Sequence, residues 1–367
     1  MSLPSVLVNM LWCVPGRVGG SEEYLVRQLL GLAELPAPRW RPTVAGARGL
    51  GLAHPSLVTA ATLVEPDFES TNRLRRIAGE ATWLRQHSAN AALVHHGGGT
   101  APLGARRPYV LTIHDLQFRT YPQYFSRRKR AYLSAVVAPS ARRAAMVAVP
   151  SEYVRDSVVR AYGVHEDRIA VVPHGLEPGL ASELTSEPEL RARYGLGGGP
   201  IIVYPAVTHP HKNHRFLLQM MRDHWTDPDL RLVLTGGDGL AEPEVAAAVD
   251  SRVRRVGRVP AADRNGLLAM ADAMVFPSQY EGFGAPLIEA MALGAPVICG
   301  DATCMPQIVG DAGLVRPLVS DAWADALDEV RARRVELVSA GHLRAQDFTS
   351  AASGAALAAV YAKALHS

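Results

Sequence analysis

Residues 280–301 read YEGFGAPLIEAMALGAPVICGD. Two carboxylates, Glu281 and Glu289, flank Gly282, Gly284 and Pro286. Glycines lack a Cβ, so backbone amides there can approach a ligand closely. Pro286 suits a first helical position, where a missing N–H costs nothing. Gly294 is a plausible helix end. A helix start with bare amides is an anion site, most naturally for phosphate. The helix dipole adds about 0.3–1 kcal/mol. Carboxylates accept hydrogen bonds from sugar hydroxyls as charged acceptors. One acid on each side of a phosphate site fits a ligand with hydroxyls on both sides of a diphosphate. A nucleotide sugar has that form, with a ribose on one side and a hexose on the other. The donor then runs along Glu281, Gly282, Phe283, Gly284, Ala285, Pro286 and Glu289. Taken singly, each acid also fits a plainer role, as a loop acid or a helix-dipole partner.

The elements around this stretch must bring it to a sheet edge. AMVFPS before it reads as a buried strand, and PLIEAMALG after it has helical spacing. The same strand–loop–helix unit recurs. Short apolar runs at 5–10, 91–96, 108–115, 146–151 and 168–175 read as strands. A second series occupies 200–207, 230–237, 252–259, 272–278, 295–301 and 313–317. Alternating strands and helices imply parallel sheets covered on both faces. GLGGGP at 195–200 reads as the end of an interdomain connection. The expected domains are 1–178 and 198–345, with a helix over 346–367 packing back on the first. Ligands of such sheets bind beyond the carboxyl ends of strands, here expected in a cleft between the domains.

Composition bounds the class. The chain has 367 residues, 48% of them hydrophobic, enough for two cores. A formal charge of +3 is too weak to predict nucleic-acid binding. Three cysteines, Cys13, Cys299 and Cys304, form no CxxC, which argues against disulfides or a zinc cluster and for a reducing compartment. The first residues, MSLPSVLVNMLWCVPG, lack a basic start and are too short an apolar run to span a bilayer. A cytoplasmic protein is expected. The high Ala, Arg and Gly content suggests a GC-rich bacterial source.

EGFGAPLIEAMALGAPVI resembles the E-x7-E signature of the retaining GT-B glycosyltransferases of the GT4 group. The resemblance covers nearly the whole chain, through VLTIHDLQFRTYPQYFSRRKRAYL, VPSEYVRDSVVRAYGVHEDRIAVVPHGLEP, VYPAVTHPHKNH and MPQIVGDAGLVRP. It implies two Rossmann-like α/β domains, a nucleotide-sugar donor on the second and an acceptor on the first. It implies that Lys212 meets the leaving diphosphate and that His114 lies beside the transferred sugar. Asp115 is expected to orient that imidazole. The glycine-rich loop GRVGGSEE carries Gly19 and Gly20 towards a phosphate or the acceptor. The backbone of Gly257 to Val259 faces the nucleobase. Two departures stand out. The group usually has an Arg shortly before the Lys, and residues 201–211 contain none, so His209 or His211 compensates or Lys212 acts alone. Gln307 replaces the usual Glu of its segment.

Other motifs narrow the chemistry. HHGGGTAP imitates an esterase oxyanion loop, but the chain has no G-x-S-x-G elbow and is not read as a serine hydrolase. A turn near the cleft is expected instead. DPD at 227–229 imitates a metal motif at the amino end of a strand, the wrong end for a site. No metal and no cofactor is expected, since Lys212 and the helix carry the charge. Arg106, Arg107, Arg127, Arg128, Lys129, Arg130, Arg142 and Arg143 make the first domain locally basic, which fits a solvated face or a weak peripheral contact with an anionic membrane. Together these readings predict a retaining, metal-independent hexosyltransferase. His114, Lys212 and Glu281 are its catalytic residues. The His-Asp and HPHKN segments lean towards GDP-mannose, with UDP-sugars open. Glycolipid, glycan and small-molecule acceptors all fit. A glycoside hydrolase, a nucleotide-sugar epimerase of the same architecture and a non-catalytic nucleotide-sugar sensor are the competing readings.

Overall fold

The computed structural model describes residues 3–15, 19–37, 39–102, 104–105, 108–248 and 250–366. They form two compact units, Met1–Gly175 with Phe348–Ser367, and Leu176–Asp347.

The first unit is built on seven strands: β1 (Ser5–Met10), β2 (Arg41–Gly46), β3 (Thr62–Val64), β4 (Leu93–His96), β5 (Tyr109–Thr112), β6 (Met146–Val149) and β7 (Ile169–Val171). Their order is β3-β2-β1-β4-β5-β6-β7. All neighbours are parallel, with Val6 opposite Pro42 on one side and Leu93 on the other. Central strands of such a sheet are buried on both faces, so they read as unbroken apolar runs. On β1, Val6, Val8 and Met10 join one core cluster, whereas Leu7 joins another. The chain's last helix, Ser350–Leu365, covers the first cluster through Leu357, Val360 and Tyr361. It crosses the first helix, Gly20–Ala33, at two glycines. A Cβ on Gly31 would lie 1.7 Å from the Ser350 carbonyl oxygen, and one on Gly354 would lie 2.2 Å from the Gly31 carbonyl carbon. Thr349 caps the last helix, its hydroxyl accepting from the Ala352 amide at 3.1 Å.

The second unit has six parallel strands: β8 (Ile201–Pro205), β9 (Arg231–Thr235), β10 (Val253–Gly257), β11 (Ala273–Phe276), β12 (Val297–Gly300) and β13 (Leu314–Arg316). The order is β10-β9-β8-β11-β12-β13. Residues 176–200 belong to this unit. Thr185 Oγ1 and Arg193 Nη1 both donate to the Asp263 carboxylate, at 2.6 and 2.7 Å. The glycines there have local causes. Gly195 ends the helix Glu187–Tyr194 at φ +62°, and a Cβ on Gly199 would lie 2.2 Å from the Asp229 carbonyl oxygen.

Each unit is a doubly wound Rossmann-like domain. Sheet order reverses between β1 and β4 in the first and between β8 and β11 in the second. Those reversals open the crevices in which ligands of this architecture bind. No helix among the described residues is long and apolar enough to cross a membrane.

Candidate active site

In the second unit the loops leaving β8 and β11 flank the reversal, and hydrogen bonds tie them together. Asn213 takes the left-handed conformation that Asn tolerates better than most residues (φ +57°), and its Nδ2 donates to the Pro277 carbonyl at 3.3 Å. The Gln279 amide donates to the His211 carbonyl at 2.8 Å. Tyr204, buried on β8, donates to the Lys212 carbonyl at 2.6 Å and lies 3.0 Å from the Ser278 hydroxyl. This lattice fixes the Lys212 stem. The Lys212 ammonium donates to Glu281 Oε1 at 2.5 Å, 5.6 Å from the centre of the Phe276 ring. Both side chains are largely sheltered, at 19% and 12% exposure. The two groups are 69 residues apart in sequence yet form one charge-assisted pair.

Glu281 is held by its backbone as well. Its amide donates to Thr303 Oγ1 at 3.2 Å, and its carbonyl accepts from Cys304 Sγ at 3.4 Å. Thr303 adopts φ +58°, an outlier for a β-branched residue. Such strain costs about 1–3 kcal/mol and persists where the surroundings demand it. Here the strained backbone turns the hydroxyl onto Glu281. Sequence reasoning missed Thr303 and Cys304, because neither a positive φ nor a contact across 22 residues leaves a local signature.

Past Glu281, Phe283 is buried and Gly284 takes φ +84° as N-cap of the helix Ala285–Ala292. Pro286 lies in its first turn and no side chain caps it. The leading amides are therefore without a side-chain acceptor, the condition for holding an anion. Glu289 points into the unit and is only 5% exposed. Gly294, at φ +80°, follows the helix end.

Beside this, beyond β9 and β10, lies a concavity of about 260 Å3 lined by Thr208, Gly236, Glu242, Arg255 and Gly257. Gly257 has φ +68°, and its carbonyl accepts from the Gly236 amide at 2.8 Å. Thr208 Oγ1 donates to Glu242 Oε2 and accepts from the Gly239 amide, both at 2.7 Å. Arg255 pairs with Glu242. Val259 follows in the half-buried loop after β10. The residues flanking the loop after β9 escaped the sequence reading. A Gly-Gly-Asp run at 236–238 directly after a strand was the signal for them.

His211 and His214, beside Lys212, do not supply a second cation at neutral pH. Burial, then the charge of Lys212, pushes His211 down to about 3. Burial likewise pushes His214 to about 4. The Asp227 carboxylate of the DPD segment accepts from the Asp229 amide at 2.9 Å, which makes it a turn.

The first unit places its candidates at the other reversal. His114 follows β5, and its Nε2 lies 2.8 Å from the Gly97 carbonyl, so Nε2 carries the hydrogen. Its ring packs 5.8 Å from Trp12 and 5.4 Å from Tyr24. Burial pushes its pKa down to about 4, opposed by the Gly97 bond. It is neutral at pH 7. Gly97, not Asp115, orients the ring; the Asp115 carboxylate accepts from the Gln117 amide at 2.8 Å. The HHGGGTAP segment thus closes the first reversal. A Cβ on Gly98 would lie 2.6 Å from the Trp12 indole. Gly19 precedes and Gly20 begins the first helix, and a Cβ on either would meet nothing within 4 Å. Residues 16–18 of that loop, and Arg106 and Arg107, lie outside the described residues.

Comparison with known proteins agrees with this architecture. A family model for Glycosyltransferase Family 4 matches residues 18–180, and one for Glycosyl transferases group 1 matches residues 199–333. The chain is 32% identical over 192 residues to O-antigen chain mannosyltransferase B of Escherichia coli, covering 50% of each. It is 28% identical over 281 residues to 2-deoxystreptamine glucosyltransferase of Streptomyces kanamyceticus, covering 74% of this chain and 69% of that one. The match thus spans about half the length of the E. coli protein. Among solved structures, Anabaena Alr3699/HepE in complex with UDP and glucose superposes with a TM-score of 0.76 at 18% identity, over 98% of this chain and 99% of that one. The fold is GT-B, and the chain belongs to the GT4-type glycosyltransferases.

Proposed function

We propose that the protein is a retaining glycosyltransferase that moves a hexose from a nucleotide diphosphate sugar to an acceptor hydroxyl. The observation that carries the reading is the Lys212–Glu281 pair at the foot of an uncapped helix, at the sheet reversal where this architecture binds ligands. The donor's diphosphate takes the Lys212 ammonium and the leading amides of the Ala285 helix. Glu281 is then released to accept from sugar hydroxyls. Thr303 and Cys304 keep its backbone in place as its carboxylate changes partner.

In the transfer step the bond between sugar C1 and the phosphate oxygen breaks, and the diphosphate leaves with the electron pair. The acceptor oxygen bonds C1, and its proton passes to the departing phosphate. Retention of configuration rests on the family. Preplaced donors around a developing charge are worth about 3–4 kcal/mol each when removed singly. Charge on the diphosphate is met by Lys212 and the helix without a metal ion, so EDTA should leave the rate unchanged. The neutral His114 presents a hydrogen-bonding ring rather than a charge to the sugar or acceptor.

Glu289 is assigned to the ribose through a small opening of its buried site, and the Gly257–Val259 backbone to the base. GDP-mannose stands first among donors, ahead of UDP-glucose and UDP-GlcNAc. A thermal-shift screen with these three sorts them, because a ligand of the native state raises its melting temperature. Release of nucleotide only when an acceptor is present supports transfer. Conversion of donor without acceptor points to an epimerase. Donor binding with no turnover for any acceptor points to a sensor.

A further inference from the structure

The first unit holds a pocket that the donor chemistry leaves unused. It has a volume of about 180 Å3 and is lined by Ile113, His114, Phe118, Phe125, Lys129 and Leu133, and also by Asp115, whose carboxylate accepts from the Gln117 amide. An engineered apolar cavity of about 150 Å3 binds benzene, so the space admits one ring or a short chain segment. Its walls are unlike in character. Phe118 and Phe125 meet at 6.5 Å edge to face, and with Leu133 they form an apolar side. His114 supplies a neutral polar corner opposite. Lys129, exposed at the rim, holds its ammonium 5.0 Å from the Phe125 ring centre.

The rim is unusually cationic for its position. The helix Arg127–Arg143 opens with Arg127, Arg128, Lys129 and Arg130, and its first turn has no acid. Cations at a helix N-terminus work against the dipole. Among the described residues none of these four is in an ion pair. The positive end of the helix and four unpaired cations therefore reinforce one another beside an apolar cavity. That combination suits an anion attached to a hydrophobic body. It disfavours a cationic acceptor such as an aminocyclitol.

We propose that this pocket is the acceptor subsite and that it takes a phosphate ester of a hydrophobic alcohol. The apolar part lies against Phe118, Phe125 and Leu133. The phosphate lies over Lys129, and a hydroxyl-bearing part reaches His114. The inference rests on the glycosyltransferase reading for the word acceptor, but the pocket's chemistry can be tested without a donor.

The experiment is calorimetric titration of the full chain with octyl phosphate, octyl glucoside and inorganic phosphate, below the micelle concentrations. Octyl phosphate should bind at least tenfold tighter than either of the others. Lys129→Glu should weaken octyl phosphate at least tenfold and leave octyl glucoside unchanged. Leu133→Gln should weaken both alkyl probes. Equal affinity for charged and neutral alkyl probes, or no effect of Lys129→Glu, overturns the proposal; the exposed Lys129 makes a folding failure no excuse. Donor turnover read on the same samples separates the two claims. Octyl phosphate carries no acceptor hydroxyl, so it should inhibit transfer in competition with the acceptor; octyl phosphate binding that leaves transfer uninhibited overturns the acceptor role. Transfer without octyl phosphate binding overturns the pocket and leaves the glycosyltransferase reading standing.

Discussion

The two sheet reversals are built for opposite kinds of chemistry. At the β8/β11 reversal a cation and a carboxylate are held 2.5 Å apart on stems locked by Tyr204, Asn213 and Thr303. At the β1/β4 reversal the ionisable group, His114, is stripped of charge and packed against Trp12 and Tyr24. The same topology has thus been given an ion pair at one end and an uncharged ring at the other, where the cations stand only at the rim. A leaving diphosphate needs the first. A hydroxyl nucleophile that must not be outcompeted by water is served by the second.

Removing the charge should have the largest effect. Lys212→Ala is expected to lower turnover at saturating donor by about a hundredfold or more, the scale of a lost preorganised donor. His114→Ala should cost less, about tenfold, and should alter acceptor KM more than donor KM. A Lys212→Ala enzyme with wild-type turnover would erase the contrast between the two ends.

The fold beneath the neutral end can be broken without touching the charged one. Gly31→Ala forces a Cβ onto the Ser350 carbonyl at 1.7 Å and should destabilise by about 1–3 kcal/mol. Nucleotide affinity at the second unit should stay unchanged, and a thermal melt with and without nucleotide reads both.

Thr303 sharpens the charged end. Thr303→Val keeps the shape but removes the acceptor of the Glu281 amide, and turnover should fall about tenfold, the worth of one such bond. Thr303→Ser should restore it. If Val and Ser behave alike, the hydroxyl does not position Glu281.

Acidity should give the smallest and broadest change. His95, His96, His114, His211 and His214 are all held below the usual histidine value, with burial the largest cause in each. The unfolded chain binds their protons first, from about pH 6.5. The stability they contribute is therefore full above that pH. It is lost as pH falls towards about 4, where His96, His114 and His214 titrate in the fold. A denaturant midpoint that does not drop between pH 7 and pH 5 would contradict this.

Much of this architecture was legible in the sequence. Eleven strands showed themselves as apolar runs, from 5–10 to 313–317. β2 and β3 did not. β3 is the edge strand and β2 its neighbour, Arg41 and Thr62 are exposed, and β3 is three residues long, so neither carries an unbroken apolar signal. The helix Ala285–Ala292 was announced by Pro286 and Gly294, because both act through local backbone geometry. Contacts between distant residues were not announced. The Lys212–Glu281 pair, the Thr303 hold on Glu281 and the Gly97 bond to His114 join segments that only the folded sheets bring together. Two of the glycines at 195–199, in the stretch read as the end of an interdomain connection, have local roles that composition does not show: Gly195 ends a helix and Gly199 permits one close backbone approach.

The Lys212–Glu281 pair is proposed as the seat of the donor's diphosphate. A crystal structure with a bound nucleoside diphosphate tests it most directly. Phosphate oxygens should lie about 3 Å from the Lys212 ammonium and the Ala285 amide, with Glu281 swung away from Lys212. A fully occupied nucleotide bound elsewhere, with the Lys212–Glu281 contact intact, would contradict it.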